Sequence, residues 1–144
     1  MDERKLLNDL LIENIPKLYS LKGKEKWARV VDVYDGDTLN IIFFVGSELQ
    51  NHKFRLYGID TPEIKPLKSV PNRADVIDSA KKSKEYLSSL ILNKVVYIKF
   101  REEEKYGRLM GEIYYDNTHN SACVNQLMVE NGYANEYFGG QKKL

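Results

Sequence analysis

Three short stretches of this 144-residue chain concentrate groups able to do chemistry: Asp35-Gly36-Asp37-Thr38, the run from Arg55 to Glu63 (RLYGIDTPE), and Lys105-Tyr106-Gly107-Arg108. Taken singly, each is as well explained by a hairpin turn, a strand end or a tight turn. Together they suit one reaction. Asp37 shares the parity of Leu39, Ile41 and Phe43, so in an unbulged strand it faces the mouth of an apolar interior, where a lone carboxylate is costly without a partner. A bound cation supplies one. Asp60 follows a strand-like run, and Pro62 keeps Thr61 extended, so that the Thr61 carbonyl turns toward the same place. Two carboxylates and a carbonyl are hard oxygen donors that suit Ca²⁺, or Mg²⁺, rather than zinc. Glu63, three residues after Asp60, is placed to act as a base beside such a cation. Arg55 has the opposite parity to Phe54 and Leu56 and leaves the core side of its strand, while Arg108 follows a glycine turn. Two guanidinium forks beside a cation match a phosphodiester, whose phosphorane gathers charge on its equatorial oxygens. The chemistry implied is metal-assisted hydrolysis.

Strands must carry these residues. Arg29–Tyr34, Thr38–Val45 and His52–Tyr57 are rich in β-branched and aromatic residues and read as three strands. Asp35-Gly36 reads as the turn between the first two, on the ground that glycine tolerates positive φ. Gly46–Asn51 reads as a longer turn before the third, giving an antiparallel meander. Residues 64 to 73, with Pro66, Pro71 and three basic side chains, read as an exposed loop. Asn72 is the expected N-cap of a helix, with Asp75 completing a capping-box-like start. Val76, Ala80, Ser83, Leu87, Leu90 and Ile91 form the buried stripe of that helix, and Lys81, Lys82 and Lys84 lie outside it. Lys94–Phe100 and Leu109–Tyr115 complete five strands. A last helix is expected over Ser121–Asn131, with Gly132 as its left-handed cap.

Ahead of the strands, Leu6, Leu7, Leu10, Leu11, Ile15 and Leu18 recur at spacings of three and four. That pattern predicts a helix over residues 4 to 18, docked on the domain by its apolar face, with Pro16 weakening the last turn. The element order fits an α+β, mainly β, architecture: a five-stranded OB-fold-like barrel with helices packed on it, plus an extra N-terminal helix. Residues 1–26 form the helical extension and 27–144 the barrel domain.

Composition narrows the function classes. Lys plus Arg number 22 against 21 Asp plus Glu, a formal net charge of +1, which excludes a uniformly basic nucleic-acid coat and a solvating acidic tail. The near-balance conceals segregation: residues 28 to 63 carry 3 basic and 6 acidic side chains, whereas residues 64 to 100 carry 8 and 3. An acidic pocket therefore precedes a basic stretch able to meet phosphates. With 42% apolar and 11% aromatic residues the chain can bury a core. Cys123 is the single cysteine, so an intrachain disulfide and a Cys-rich zinc site are both excluded. His119 lies four residues before it, but a zinc site there would need two more ligands. Asp9 and Glu13 interrupt the N-terminal apolar pattern, so it is neither a signal peptide nor a membrane span, and the chain reads as soluble and intracellular, with no membrane partner.

The motifs YDGDT, FRLYGIDTPE and KYGR, in that order, resemble the staphylococcal nuclease (thermonuclease) family over about residues 28 to 138. The resemblance implies that Asp37 and Asp60 are calcium carboxylates and Thr61 the carbonyl ligand. It implies Glu63 as general base, Arg55 and Arg108 as phosphate-clamping arginines, and Lys105 with Tyr106 as the pair that binds a neighbouring phosphate. It further implies Ca²⁺-dependent endonuclease cleavage of the P to 5′-oxygen bond in DNA and RNA, leaving 3′-phosphate ends. Tyr137 or Phe138 stands near the place where the family has aromatic residues over the nucleobase, with packing as the competing role. The competing function is an inactive barrel that only binds nucleic acid or a protein partner. It loses ground because Asp37, Arg55, Asp60, Glu63 and Arg108 are all present. A third reading is a structural subunit that assembles through the N-terminal helix.

Overall fold

A computed structural model describes residues 2–102 and 107–138. Five strands close into a barrel: β1 (Glu25–Val33), β2 (Thr38–Val45), β3 (Glu48–Leu56), β5 (Val95–Phe100) and β6 (Leu109–Tyr114), in the order β1-β2-β3-β6-β5. β1, β2 and β3 form the expected antiparallel meander, β6 runs parallel to β3, and β5 is antiparallel to both β6 and β1. The two-residue strands β4 (Ile59–Asp60) and β7 (Asn135–Glu136) pair with each other, Asp60 opposite Asn135. That pairing ties the C-terminal turn to the segment after β3, and strands so short leave no periodicity to read in the sequence.

Alternation along the strands fills the barrel. Leu39, Ile41, Phe54, Leu56, Val96, Ile98 and Ile113 have no exposed surface, and Leu87, Ile91, Val124 and Met128 from the helices join the same core. Each such side chain contributes roughly 1.5–3 kcal/mol of apolar burial. Helices α2 (Arg73–Ile91) and α3 (Val124–Glu130) pack against the barrel and against each other. Buried Asn125 of α3 accepts from the Ile113 amide at 3.1 Å and donates to the carbonyls of Tyr57 and Gly111 at 2.8 and 3.1 Å. One side chain thus fixes the end of β3, the middle of β6 and the start of α3.

Several local expectations are corrected. The turn before β3 is tight, since Val45 pairs with Glu48 and Gly46 takes a φ of 61°. β3 consequently begins at Glu48 rather than His52. Asn72 is left-handed, with a φ of 55°, and makes no side-chain cap bond. Helix α3 is shorter than expected, and His119 precedes it, so helical spacing does not bring His119 to Cys123. The largest difference is at the N-terminus: α1 spans only Glu3–Asn8, followed by a single 3-10 turn at Ile12–Asn14. Its apolar stripe is not docked, as Leu7, Ile12 and Leu18 are 73%, 88% and 97% exposed. A short helix without tertiary burial gains too little to propagate, and Pro16 adds a break. The first core residue is Leu21. Among the described residues, no helix is long and apolar enough to cross a membrane.

Because residues 2 to 19 contribute nothing to the core, removing them should change barrel stability by less than about 0.5 kcal/mol. Urea unfolding followed by tryptophan fluorescence, with Trp27 retained, checks this. A loss of several kcal/mol would show a docked segment.

Candidate active site

The β1–β2 turn, the segment after β3 and the start of β6 come together at one rim of the barrel. A cleft of about 350 Å³ there is lined by Tyr34, Asp35, Asp37, Thr38, Arg55, Asp60, Glu63, Arg108 and Tyr137. Five of the side chains singled out in the sequence, Asp37, Arg55, Asp60, Glu63 and Arg108, thus face one space. Thr61 lies directly behind it, buried. Lys105 and Tyr106 lie outside the described residues.

Asp37 is the centre of the geometry. As its parity requires, it is buried at the barrel mouth, 6% exposed, with its own carbonyl accepting from the Leu56 amide at 2.9 Å. Its Oδ2 accepts from Arg55 Nη2 and from the Thr61 amide, both at 3.3 Å, and its Oδ1 accepts from the Thr38 hydroxyl at 3.1 Å. Arg55 Nη2 also reaches Asp60 Oδ1 at 3.5 Å and the Ile59 carbonyl at 3.1 Å. The guanidinium therefore bridges the two carboxylates. Arg108 Nη1 donates to Thr38 Oγ1 at 3.4 Å, which places the second guanidinium on the other side of Asp37.

The electrostatics leave room for a cation. Four carboxylates against two guanidiniums give the cleft a formal charge of −2. Burial pushes the Asp37 carboxyl from its ordinary 3.8 up to about 6, and the neighbouring Asp35 adds to the rise, while Arg55 and Thr38 oppose it. One guanidinium does not compensate this group of acids. The donors are hard oxygens, and Thr61 Oγ1 is buried without a hydrogen-bond partner among the described residues. Both features fit a hard divalent ion. Among the described residues, no three acidic, His or Cys side chains form a complete ligand cluster. A cation here needs backbone or substrate oxygens as well as carboxylates.

Tyr34, Asp35 and Thr38 belong to motifs picked out in the sequence, which assigned them no role of their own, and all three line the cleft. Asp35 was legible only as a turn residue, yet it is 9% exposed and its Oδ1 accepts from the Asp37 amide at 3.1 Å, fixing the loop. Gly36 is required for a reason other than a left-handed backbone. It is absent from the positive-φ residues, but a Cβ there would lie 2.7 Å from Ser83 Cβ and 2.8 Å from Thr61 Cγ2. The Asp loop, Thr61 and α2 meet through that missing side chain. Tyr137 lines the cleft, whereas Phe138 packs edge-on against Tyr57 at 5.7 Å between ring centroids.

The profile of the staphylococcal nuclease homologues matches residues 53–143. An uncharacterized endonuclease of Escherichia coli O157:H7 is 32% identical over 107 residues, covering 74% of this chain and 58% of that protein. An uncharacterized endonuclease of Haemophilus influenzae is 30% identical over 137 residues, 95% of this chain and 67% of that protein. Endonuclease YhcR of Bacillus subtilis is 31% identical over 94% of this chain, which spans only 11% of that protein. The chain thus spans a little under three-fifths of the E. coli relative's length.

Two outcomes follow from the packing and the charge. Gly36→Ala should cost about 1–3 kcal/mol through overpacking and lower activity by displacing Thr61. A variant with unchanged stability would show that Ser83 and Thr61 yield. For Asp37, the folded-state pKa near 6 lies above the unfolded value, so the proton is held more tightly in the folded protein. Its stabilising contribution is fully present below about pH 4 and is lost as pH rises through 6. In chelator, Asp37→Asn should therefore be more stable than the parent at pH 8, on the order of 2 kcal/mol, with the difference vanishing toward pH 4. Thermal unfolding at the two pH values checks this, and a destabilised variant at pH 8 would contradict it.

Proposed function

Because this chain belongs to the staphylococcal nuclease family, we propose that it is a nuclease hydrolysing phosphodiester bonds of DNA and RNA, with Ca²⁺ as cofactor, low sequence specificity and 3′-phosphate products. The observation that carries this reading is the shared cleft, in which Asp37, Asp60, Arg55, Arg108 and Glu63 face one space. The endonuclease names of the E. coli, H. influenzae and B. subtilis relatives support the same class of reaction.

Asp37, Asp60 and the Thr61 carbonyl are the residues that would hold the cation. When bound, a divalent ion supplies Lewis-acid stabilisation of phosphoryl charge and makes water a stronger acid. Glu63, exposed at the cleft edge, takes the proton of the attacking water. Water oxygen bonds to phosphorus, the P to 5′-oxygen bond breaks, the departing 5′-oxygen takes a proton from solvent water, and the phosphate stays on the 3′ side. Arg55 and Arg108 donate to the equatorial oxygens as charge develops there. Both are already oriented, Arg55 by Asp37, Asp60 and the Ile59 carbonyl and Arg108 by Thr38, so little reorganisation accompanies the step. Lys105 and Tyr106 are assigned to a neighbouring phosphate. Low specificity follows because the charged groups of the cleft address phosphate rather than base edges.

End-mapping on single-stranded DNA and RNA with Ca²⁺ or chelator tests the reading. Cleavage with 3′-phosphate ends is expected only with the cation, and inertness under every divalent ion would leave a binding barrel instead. Glu63→Gln should lower kcat by about 10²–10⁴-fold, and Arg108→Ala by about 10²–10³-fold or more. Near-parental turnover in either folded variant would remove that residue from its role.

A further inference from the structure

A second concavity lies beside the cleft, lined by chain neighbours and a strand partner of cleft residues. It measures about 250 Å³ and is formed by Pro62, by Ser79, Lys82 and Ser83 of α2, and by the turn Gly132–Asn135. Pro62, on its lining, is the chain neighbour of Glu63, which lines the cleft. Asn135 pairs in register with Asp60 and closes the other side. Ser79, Lys82 and Ser83 are spaced i, i+3 and i+4, which puts them on one helix face. Ser83 is buried with its hydroxyl given to the Tyr133 carbonyl at 2.7 Å, leaving Ser79 and Lys82 as the exposed polar pair of that face.

Among the described residues no carboxylate lines this groove, in contrast to the cleft beside it. Lys82 is paired with Asp78 at 3.2 Å, but both side chains are 66% exposed, and an i, i+4 pair so open to solvent is weak. The lysine is therefore easily redirected to a stronger anion. Residues 64 to 100 carry eight basic against three acidic side chains, of which α2 holds four and three. A polyanionic strand held in the cleft meets acids on the cation side and this groove beyond Pro62.

Resting on the nuclease reading, we propose that the groove between Pro62, α2 and the Gly132–Asn135 turn is an accessory subsite for a phosphodiester of the substrate strand outside the scissile linkage, with Lys82 as its charge anchor and Ser79 as a donor. Substrate length becomes a determinant of affinity, and a dinucleotide is too short to use the site.

Steady-state cleavage of a 15-nucleotide single strand and of a dinucleotide, across a salt series, tests this. Lys82→Gln should raise KM for the 15-mer about 3–10-fold and Lys82→Glu more, with kcat unchanged and the dinucleotide cut as well as by the parent. The slope of log affinity against log salt should fall by about 1. Asp78→Asn should act in the opposite direction. Lys94→Gln, an equal charge change beyond the far end of α2, is the control and should leave the 15-mer KM unchanged. Unaltered length dependence in the Lys82 variants, or an equal loss in Lys94→Gln, would overturn the subsite while leaving the nuclease reading intact. If the parent cuts neither substrate, the nuclease reading fails. Fluorescence anisotropy of the labelled 15-mer then decides the subsite by itself, with weaker binding by Lys82→Glu than by Lys94→Gln expected and equal binding overturning it.

Discussion

A carboxylate buried at the mouth of an apolar barrel organises the rest of this molecule. Asp37 occupies a position that strand alternation reserves for the core, one step from Leu39, and it tolerates burial only because donors converge on it. Those donors come from three places in the chain: the Arg55 guanidinium, the Thr61 amide and the Thr38 hydroxyl. Each must be delivered by an element of the barrel. β3 brings Arg55 beside Thr38 by register, the turn after β3 returns Thr61 to the β1–β2 loop, and Gly36 lets the two loops touch. The same desolvation that makes Asp37 costly makes it a strong point for a cation, because a low-dielectric site amplifies the attraction of unlike charges.

Pre-organisation links that cost to function. Arg55 spans Asp37 and Asp60 before any ligand arrives, and Arg108 is seated on Thr38. Groups fixed in this way act on charge as it forms rather than reorienting during the reaction. Supporting contacts lie further out. Asn125 ties β3 to β6 and α3, and β7 clips the C-terminal turn against Asp60. In the proposed reading, the acidic cleft and the Lys82 groove stand side by side, within a chain whose charges nearly cancel overall.

Much of this was legible in the sequence because the strands alternate cleanly. Parity alone placed Asp37 inside and Arg55 on the opposite face, and three successive strands separated by turn segments fixed the meander, although the second turn proved tighter than its sequence suggested. What stayed illegible depends on tertiary contact. Gly36 looked like a left-handed turn residue, but its role is to let Thr61 and Ser83 approach, which no local pattern encodes. Asp35 looked like turn chemistry, and only the folded loop buries it. The N-terminal stripe carried a helical period, yet that period specifies a helix only where a partner surface buries it. In this chain no such burial occurs, and the segment ends as one short helix and a 3-10 turn.

In the proposed reading, the acids around Asp37 form a site for one divalent cation. Calorimetric titration of the metal-free protein with Ca²⁺ near pH 7 tests it without reference to turnover. One ion should bind per chain, with affinity at least tenfold weaker in Asp37→Ala and falling in the parent as pH drops below 6. An Asp37→Ala protein that binds Ca²⁺ as tightly as the parent would contradict it.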